Sequence, residues 1–78
     1  MTALLLDTET VRDLLQRVDR LSGTALREAF VCSAIESGGT FHVPAVGRAV
    51  IDLHRITAQA ETEAAVISAW IARARAAL

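Results

Sequence analysis

The first half of the chain carries one apolar stripe at helical spacing. Asp7 or Thr8 can cap the start of this helix, and Asp13 lies one turn before Arg17 as a favourable ion pair. The stripe stays in phase through Gly23, so one helix over about residues 8–37 is favoured over a break near Gly23. Its apolar residues recur every three or four positions, at Val11, Leu14, Leu15, Val18 and Leu21.

The clearest stop signal is the glycine pair Gly38-Gly39, because glycine readily adopts the left-handed conformation that ends helices. Residues 38–43 are therefore predicted to form a turn. Pro44 suits the first turn of a following helix, where a missing N–H costs nothing. The pattern thus predicts a second helix over about residues 44–78.

The second half shows heptad spacing, which is typical of a helix–helix seam. A chain that folds back at the glycine pair would be an all-α antiparallel helical hairpin of two long helices, a short coiled coil. The apolar residues over 64–72 exceed what one neighbouring helix can cover. The seam runs through Val46, Val50, Leu53, Thr57, Ala60, Ala64, Ile67, Ile71, Ala74 and Leu78.

That excess of apolar surface predicts a protein partner, so that two hairpins form a four-helix bundle. Trp70 is the expected anchor, since tryptophan is enriched where binding energy concentrates. The alternative for Trp70 is a place in the chain's own core, against Leu14 or Leu15. The predicted interface consists of Ile51, Ile56, Val66, Ile67, Trp70 and Ile71.

Composition narrows the function further. The chain has 78 residues, one cysteine and a formal net charge of −1, so it offers neither an internal disulfide nor a basic field for nucleic acid. Its longest apolar-rich stretch, residues 64–72, is much shorter than the roughly 20 residues of a membrane span. These features predict a soluble protein that is made in the cytoplasm. If the protein is secreted, we expect its export to proceed without a cleaved signal peptide.

Candidate chemical groups are few. Cys32 lies three residues from Ala29 and from Ile35, which indicates a small buried residue rather than a nucleophile. His42 and His54 lack a second ligand at helical spacing, and Glu61 and Glu63 would lie on different sides of a helix. We therefore predict no catalytic residues, no metal site, no cofactor and no small-molecule substrate, and no enzymatic activity.

Residues 6–12 (LDTETVR) and residues 43–50 (VPAVGRAV) lie on either side of a glycine-containing turn, and an alanine-rich C-terminal segment follows them. Together these segments resemble the small helical-hairpin proteins of type VII (ESX) secretion in actinobacteria, the WXG-type family and its relatives. The resemblance implies a secreted or secretion-linked four-helix heterodimer without enzymatic activity.

Pattern and resemblance together predict a protein–protein interaction module that pairs with a second hairpin, as a homodimer or a heterodimer. Two other classes remain open: a small regulatory or antitoxin-like adaptor that inhibits a protein target, and a structural subunit of a phage or another large assembly. Saturable binding to one protein would favour the adaptor, and open-ended assembly would favour the subunit.

Overall fold

A computed structural model of the chain describes residues 8–78. It has an α+β fold in which helices pack against an antiparallel sheet. The elements follow one another as α1 (Thr8–Val18), α2 (Gly23–Ser37), β1 (Thr40–His42), β2 (Ala49–Leu53), β3 (Ile56–Ala60) and α3 (Glu63–Ala77). The predictions of an all-α fold, a helical hairpin, a coiled coil and a four-helix bundle are therefore wrong.

The first long helix is broken into α1 and α2. The backbone N–H of Leu21 donates to the Val18 carbonyl at 3.0 Å, which tightens the end of α1. Ser22 is extended and Gly23 has φ = 57°, so neither continues the helix. The favoured continuous helix over residues 8–37 is wrong, and the break is the alternative that the structure adopts. Asp7, one of the two expected caps, lies outside the described residues.

The predicted second long helix is wrong over residues 44–62. Residues 49–60 form a β-hairpin, which a loop precedes and a two-residue connection joins to α3. Buried and exposed residues alternate along both strands of the hairpin, with Ile51 and Ala58 inward and Asp52 and Thr57 outward. Within each strand the buried residues are two positions apart, whereas across the two-residue turn the buried residues Leu53 and Ile56 are three positions apart. The predicted helical seam shares only Leu53 with the residues that the hairpin buries, because Val50 and Ala60 of that seam are half-buried and Thr57 is exposed.

The sheet has the order β1-β2-β3 and is antiparallel throughout. Ile51 in the central strand pairs with Phe41 on one side and with Ala58 on the other. His54 and Arg55 form the β2–β3 turn with φ = 53° and 68°. Two positive φ values in a two-residue loop are the mark of a type I′ turn, whose twist matches that of the strands.

The turn residues named from the sequence have separate roles. Gly38 is left-handed with φ = 74°, and the N–H of Gly39 donates to the Ala34 carbonyl at 2.9 Å. These features end α2 as the glycine pair predicted, but the predicted turn over residues 38–43 is wrong over residues 40–42, which form β1. Pro44 lies in the loop between β1 and β2 instead of opening a helix.

One face of the sheet is covered by helices, and the core lies between them. α3 packs on β3 and β2, α2 on β1 and β2, and α1 on α3. Trp70 is fully buried, donates its indole N–H to the Ile56 carbonyl at 3.0 Å, and meets Phe30 edge to face at a centroid distance of 5.3 Å. The predicted stripe of α1 contributes Val11, Leu14, Leu15 and Val18 to this core.

Candidate functional site: an apolar groove between α2 and α3

The six residues of the predicted interface do not form an exposed surface in the folded chain. Ile51, Ile56, Val66, Ile67 and Trp70 are all buried in the core, and Ile71 is half-buried. The sequence analysis did not predict the sheet. In the structure, packing against the sheet buries the apolar residues that a helical hairpin would have left exposed to water. Trp70 thus takes the alternative role considered for it, as a core residue.

Two of these residues, Ile67 and Ile71, instead line an open groove of about 480 Å³ between the first turns of α2 and α3. Leu26 of α2 faces them from the other wall and is itself half-buried. The groove exists because α2 and α3 lie mainly on different strands of the sheet, which separates the two helices. The lining is mostly apolar and consists of Gly23, Thr24, Leu26, Arg27, Glu63, Ala64, Ile67, Ser68 and Ile71.

An ion pair joins the two helices beside this apolar lining. Arg27 Nε donates to Glu63 Oε2 at 2.9 Å, and its guanidinium carbon lies 6.0 Å from the centroid of the Phe41 ring. Both charged side chains remain partly exposed, so water and salt weaken their attraction. Because they line the groove, either charge can also interact with a polar group on a bound molecule.

The hydroxyls of Thr24 and Ser68 add neutral hydrogen-bonding groups to the same lining. An apolar lining with a few polar groups binds an apolar group and orients it. Thr24, Leu26 and Arg27 had no place in the predicted interface, because α2 was interpreted as the continuation of α1. One feature of the sequence could have identified these three residues. The segment of α2 has apolar residues on several faces, more than one neighbouring helix would cover.

The other candidate groups lie apart from the groove. Cys32 is exposed, contrary to the expected burial, and Ile35 next to it on the helix is 76% exposed. His42 lies on the solvent side of β1, and His54 lies in the type I′ turn. Among residues 8–78, no three His, Cys, Asp or Glu side chains are grouped so that they could hold a metal ion.

The helices within residues 8–78 are each too short or too polar to cross a membrane. No protein-family model, curated protein or solved structure matches this chain. The four-helix dimer implied by the resemblance to type VII secretion proteins requires a helical hairpin, and the described residues form an α+β fold instead. The function is therefore inferred from the groove and the surface of this fold.

Proposed function

We propose that this protein is a non-enzymatic protein-interaction module that binds an amphipathic helix of a partner protein in the groove between α2 and α3. The observation that carries the proposal is the open apolar groove with Leu26, Ile67 and Ile71 along its walls.

A helix is the occupant that fits a groove between two helices, since apolar residues at three- and four-residue spacing can enter it together. The fold already holds one such helix internally: α1 buries its apolar stripe against the rest of the core while its polar side faces water. The charges of Arg27 and Glu63 would orient a partner helix that carries a complementary charge beside its apolar stripe.

Two probes test the groove. The first is 8-anilinonaphthalene-1-sulfonate, which combines apolar rings with an anionic group suited to Arg27. The second is a synthetic amphipathic helical peptide with a leucine stripe. In NMR titrations of the isotopically labelled chain, both should shift the amide signals of Leu26, Ala64 and Ser68.

The decisive variant is Ser68→Trp, which places a large side chain in the groove from an exposed helical position. It should weaken binding of the peptide at least about tenfold. The matched control is Ala76→Trp, an exposed position on the same helix outside the groove, which should bind as the parent chain does. Equal affinity of the Ser68→Trp variant would refute the proposal, and binding of the dye without the peptide would point to a small-molecule site instead.

A further inference from the structure

The outer edge of β3 offers backbone hydrogen-bonding groups to a neighbour. The type I′ turn is closed by the pair Leu53–Ile56, which exchanges hydrogen bonds in a two-residue hairpin. Pairs alternate along an antiparallel ladder, so the N–H and C=O groups of Thr57 and Gln59 point away from β2. Among residues 8–78, β3 has a strand on one side only.

This edge lacks the features by which natural edge strands avoid pairing. β3 reads Ile-Thr-Ala-Gln-Ala, without a charge, a proline or a bulge. The opposite edge is different, since β1 has only three residues and the chain leaves it at Val43 and Pro44. Of the two sheet edges within residues 8–78, the β3 edge is therefore the one suited to extending the sheet.

We propose that two copies of this chain form a homodimer by antiparallel pairing of their β3 strands about a twofold axis at Ala58. This register places Thr57 of one copy opposite Gln59 of the other, so that all four outward-pointing residues of the two strands exchange backbone hydrogen bonds. A shift by one residue would set outward-pointing groups against inward-pointing ones. A shift of the axis to Thr57 or Gln59 would leave two residues of each strand, one of them outward-pointing, opposite residues beyond the partner's strand.

Charge complementarity supports the same register. Arg55 precedes β3 and Glu61 follows it, so the axis at Ala58 sets Arg55 of each copy opposite Glu61 of the other. The partner is therefore a second copy of the chain, because the strand and its flanking charges complement themselves under a twofold rotation.

The flank of α3 above this edge leaves room for the second copy. The groove takes Ala64, Ser68 and Ile71 on the side of α3 that faces α2. At 100° per residue the opposite flank carries Ala69, Arg73 and Ala77, of which two have the smallest side chain other than glycine. The two α3 helices can thus approach each other closely. The groove stays open in this dimer, so the homodimer and the proposed partner binding are independent.

The primary test is the molar mass of the chain in solution by sedimentation equilibrium over a concentration series. We expect a discrete dimer in equilibrium with monomer. In hydrogen exchange, the amides of Thr57 and Gln59 should become more protected as concentration rises. A chain that is monomeric at millimolar concentration, or a dimer in which these two amides stay unprotected, would overturn the proposal.

Variants test the register. Gln59→Pro removes an outward-pointing donor without removing a bond to β2, and should raise the dimer Kd at least about tenfold. Arg55→Glu should raise the Kd about tenfold, and the double variant Arg55→Glu/Glu61→Arg should restore it because the charges are exchanged. The control, Arg12→Glu, makes the same charge change on the exposed side of α1 and should leave the Kd unchanged. Failure of the double variant to restore dimerisation while its circular dichroism spectrum matches the parent's would exclude this register.

Discussion

At the residue scale, Gly38 and Gly39 are adjacent in sequence but required for different reasons. Gly38 has a left-handed backbone, with open space where a Cβ would lie. A Cβ on Gly39 would lie only 2.5 Å from both the Asp52 carbonyl oxygen and Leu53 Cδ2. Gly38 is therefore required by conformation, and Gly39 by the close approach of the chain to β2.

These reasons predict different responses to substitution. Gly38→Ala should lower the free energy of unfolding by about 1 kcal/mol, and Gly38→Asn by less, because asparagine tolerates the left-handed region. Gly39→Ala should cost more, about 2–3 kcal/mol, since backbone or core must move to admit the methyl group. Urea denaturation of the three variants measures the order. A Gly39→Ala variant as stable as Gly38→Asn would contradict the close approach.

Trp70 combines packing with a buried hydrogen bond, so its main contribution is to folding. Trp70→Phe keeps an aromatic ring but leaves a cavity and removes the indole donor to the Ile56 carbonyl. We expect the free energy of unfolding to fall by about 2–3 kcal/mol. Thermal unfolding followed by circular dichroism measures it, with the exposed substitution Ala72→Ser on the same helix as control. A loss below about 0.5 kcal/mol would contradict the buried hydrogen bond.

At the element scale, the helix starts after Thr62 and Ser22 differ in their capping. The Thr62 hydroxyl accepts a hydrogen bond from the Ala65 N–H at 3.1 Å, whereas the Ser22 side chain makes no capping bond. Both residues are extended and precede helices of equal length. Both α2 and α3 are therefore preceded by a residue type that can cap a helix, but of the two only Thr62 makes the capping hydrogen bond.

This difference gives a matched pair of variants. Thr62→Ala should lower the free energy of unfolding by about 1 kcal/mol, because it leaves a backbone N–H at the start of α3 without its partner. Ser22→Ala should change it by less than about 0.5 kcal/mol, because no capping bond is lost. Chemical denaturation of both variants in one buffer measures the difference. Equal losses in the two variants would argue against the Thr62 cap.

The β2–β3 turn places two residues with side chains in the left-handed region that asparagine and glycine prefer. Replacing His54-Arg55 by Asn-Gly should therefore raise the free energy of unfolding, by about 0.5–1 kcal/mol. The midpoint of urea unfolding measures the gain. A loss of stability instead would show that the interactions that Arg55 makes outweigh the backbone strain. Single substitutions at each position separate the two contributions.

At the scale of the whole molecule, one hydrophobic core joins the helices to the sheet. It includes Leu14 from α1, Phe30 from α2, Ile51 from β2, Ile56 from β3 and Trp70 from α3. Because these residues come from distant parts of the chain, losing any one contact weakens the others. The exposed ion pairs Arg27–Glu63 and Asp19–Arg75, at 2.9 and 3.5 Å, add little by comparison.

A shared core predicts one cooperative unfolding transition. Helix content measured by circular dichroism and Trp70 fluorescence should therefore change at the same denaturant concentration. Leu14→Ala, in a helix far from Trp70 in sequence, should move both transitions together and cost about 2–4 kcal/mol. Gln16→Ala, on the exposed side of α1, is the control. Two separate transitions in the parent chain would show that α1 unfolds independently of the sheet.

Local features of the fold could be predicted from the sequence where they depend on neighbouring residues. The stripe of α1 is buried as predicted, Asp13 and Arg17 form their ion pair at 3.4 Å, and Gly38 ends α2. The groove could be predicted only in fragments, since Ile67 and Ile71 were named as interface residues but Leu26 and Arg27 were not. Its two walls come from segments about 40 residues apart, which only the sheet brings together.

The sequence by itself therefore determined the helical features that neighbouring residues specify: the buried stripe of α1, the end of α2 at the glycine pair, and the helical pattern over the last part of the chain. The secondary structure of residues 49–60, by contrast, was decided by tertiary contacts. Val50, Leu53, Thr57 and Ala60 follow helical spacing, whereas the buried residues of the strands lie at alternate positions, at Ala49, Ile51, Leu53, Ile56 and Ala58. The same segment therefore carries both patterns, and its local sequence allowed both structures. Pairing with β1 and burial beneath Trp70 stabilise the hairpin, and both are contacts between residues distant in sequence.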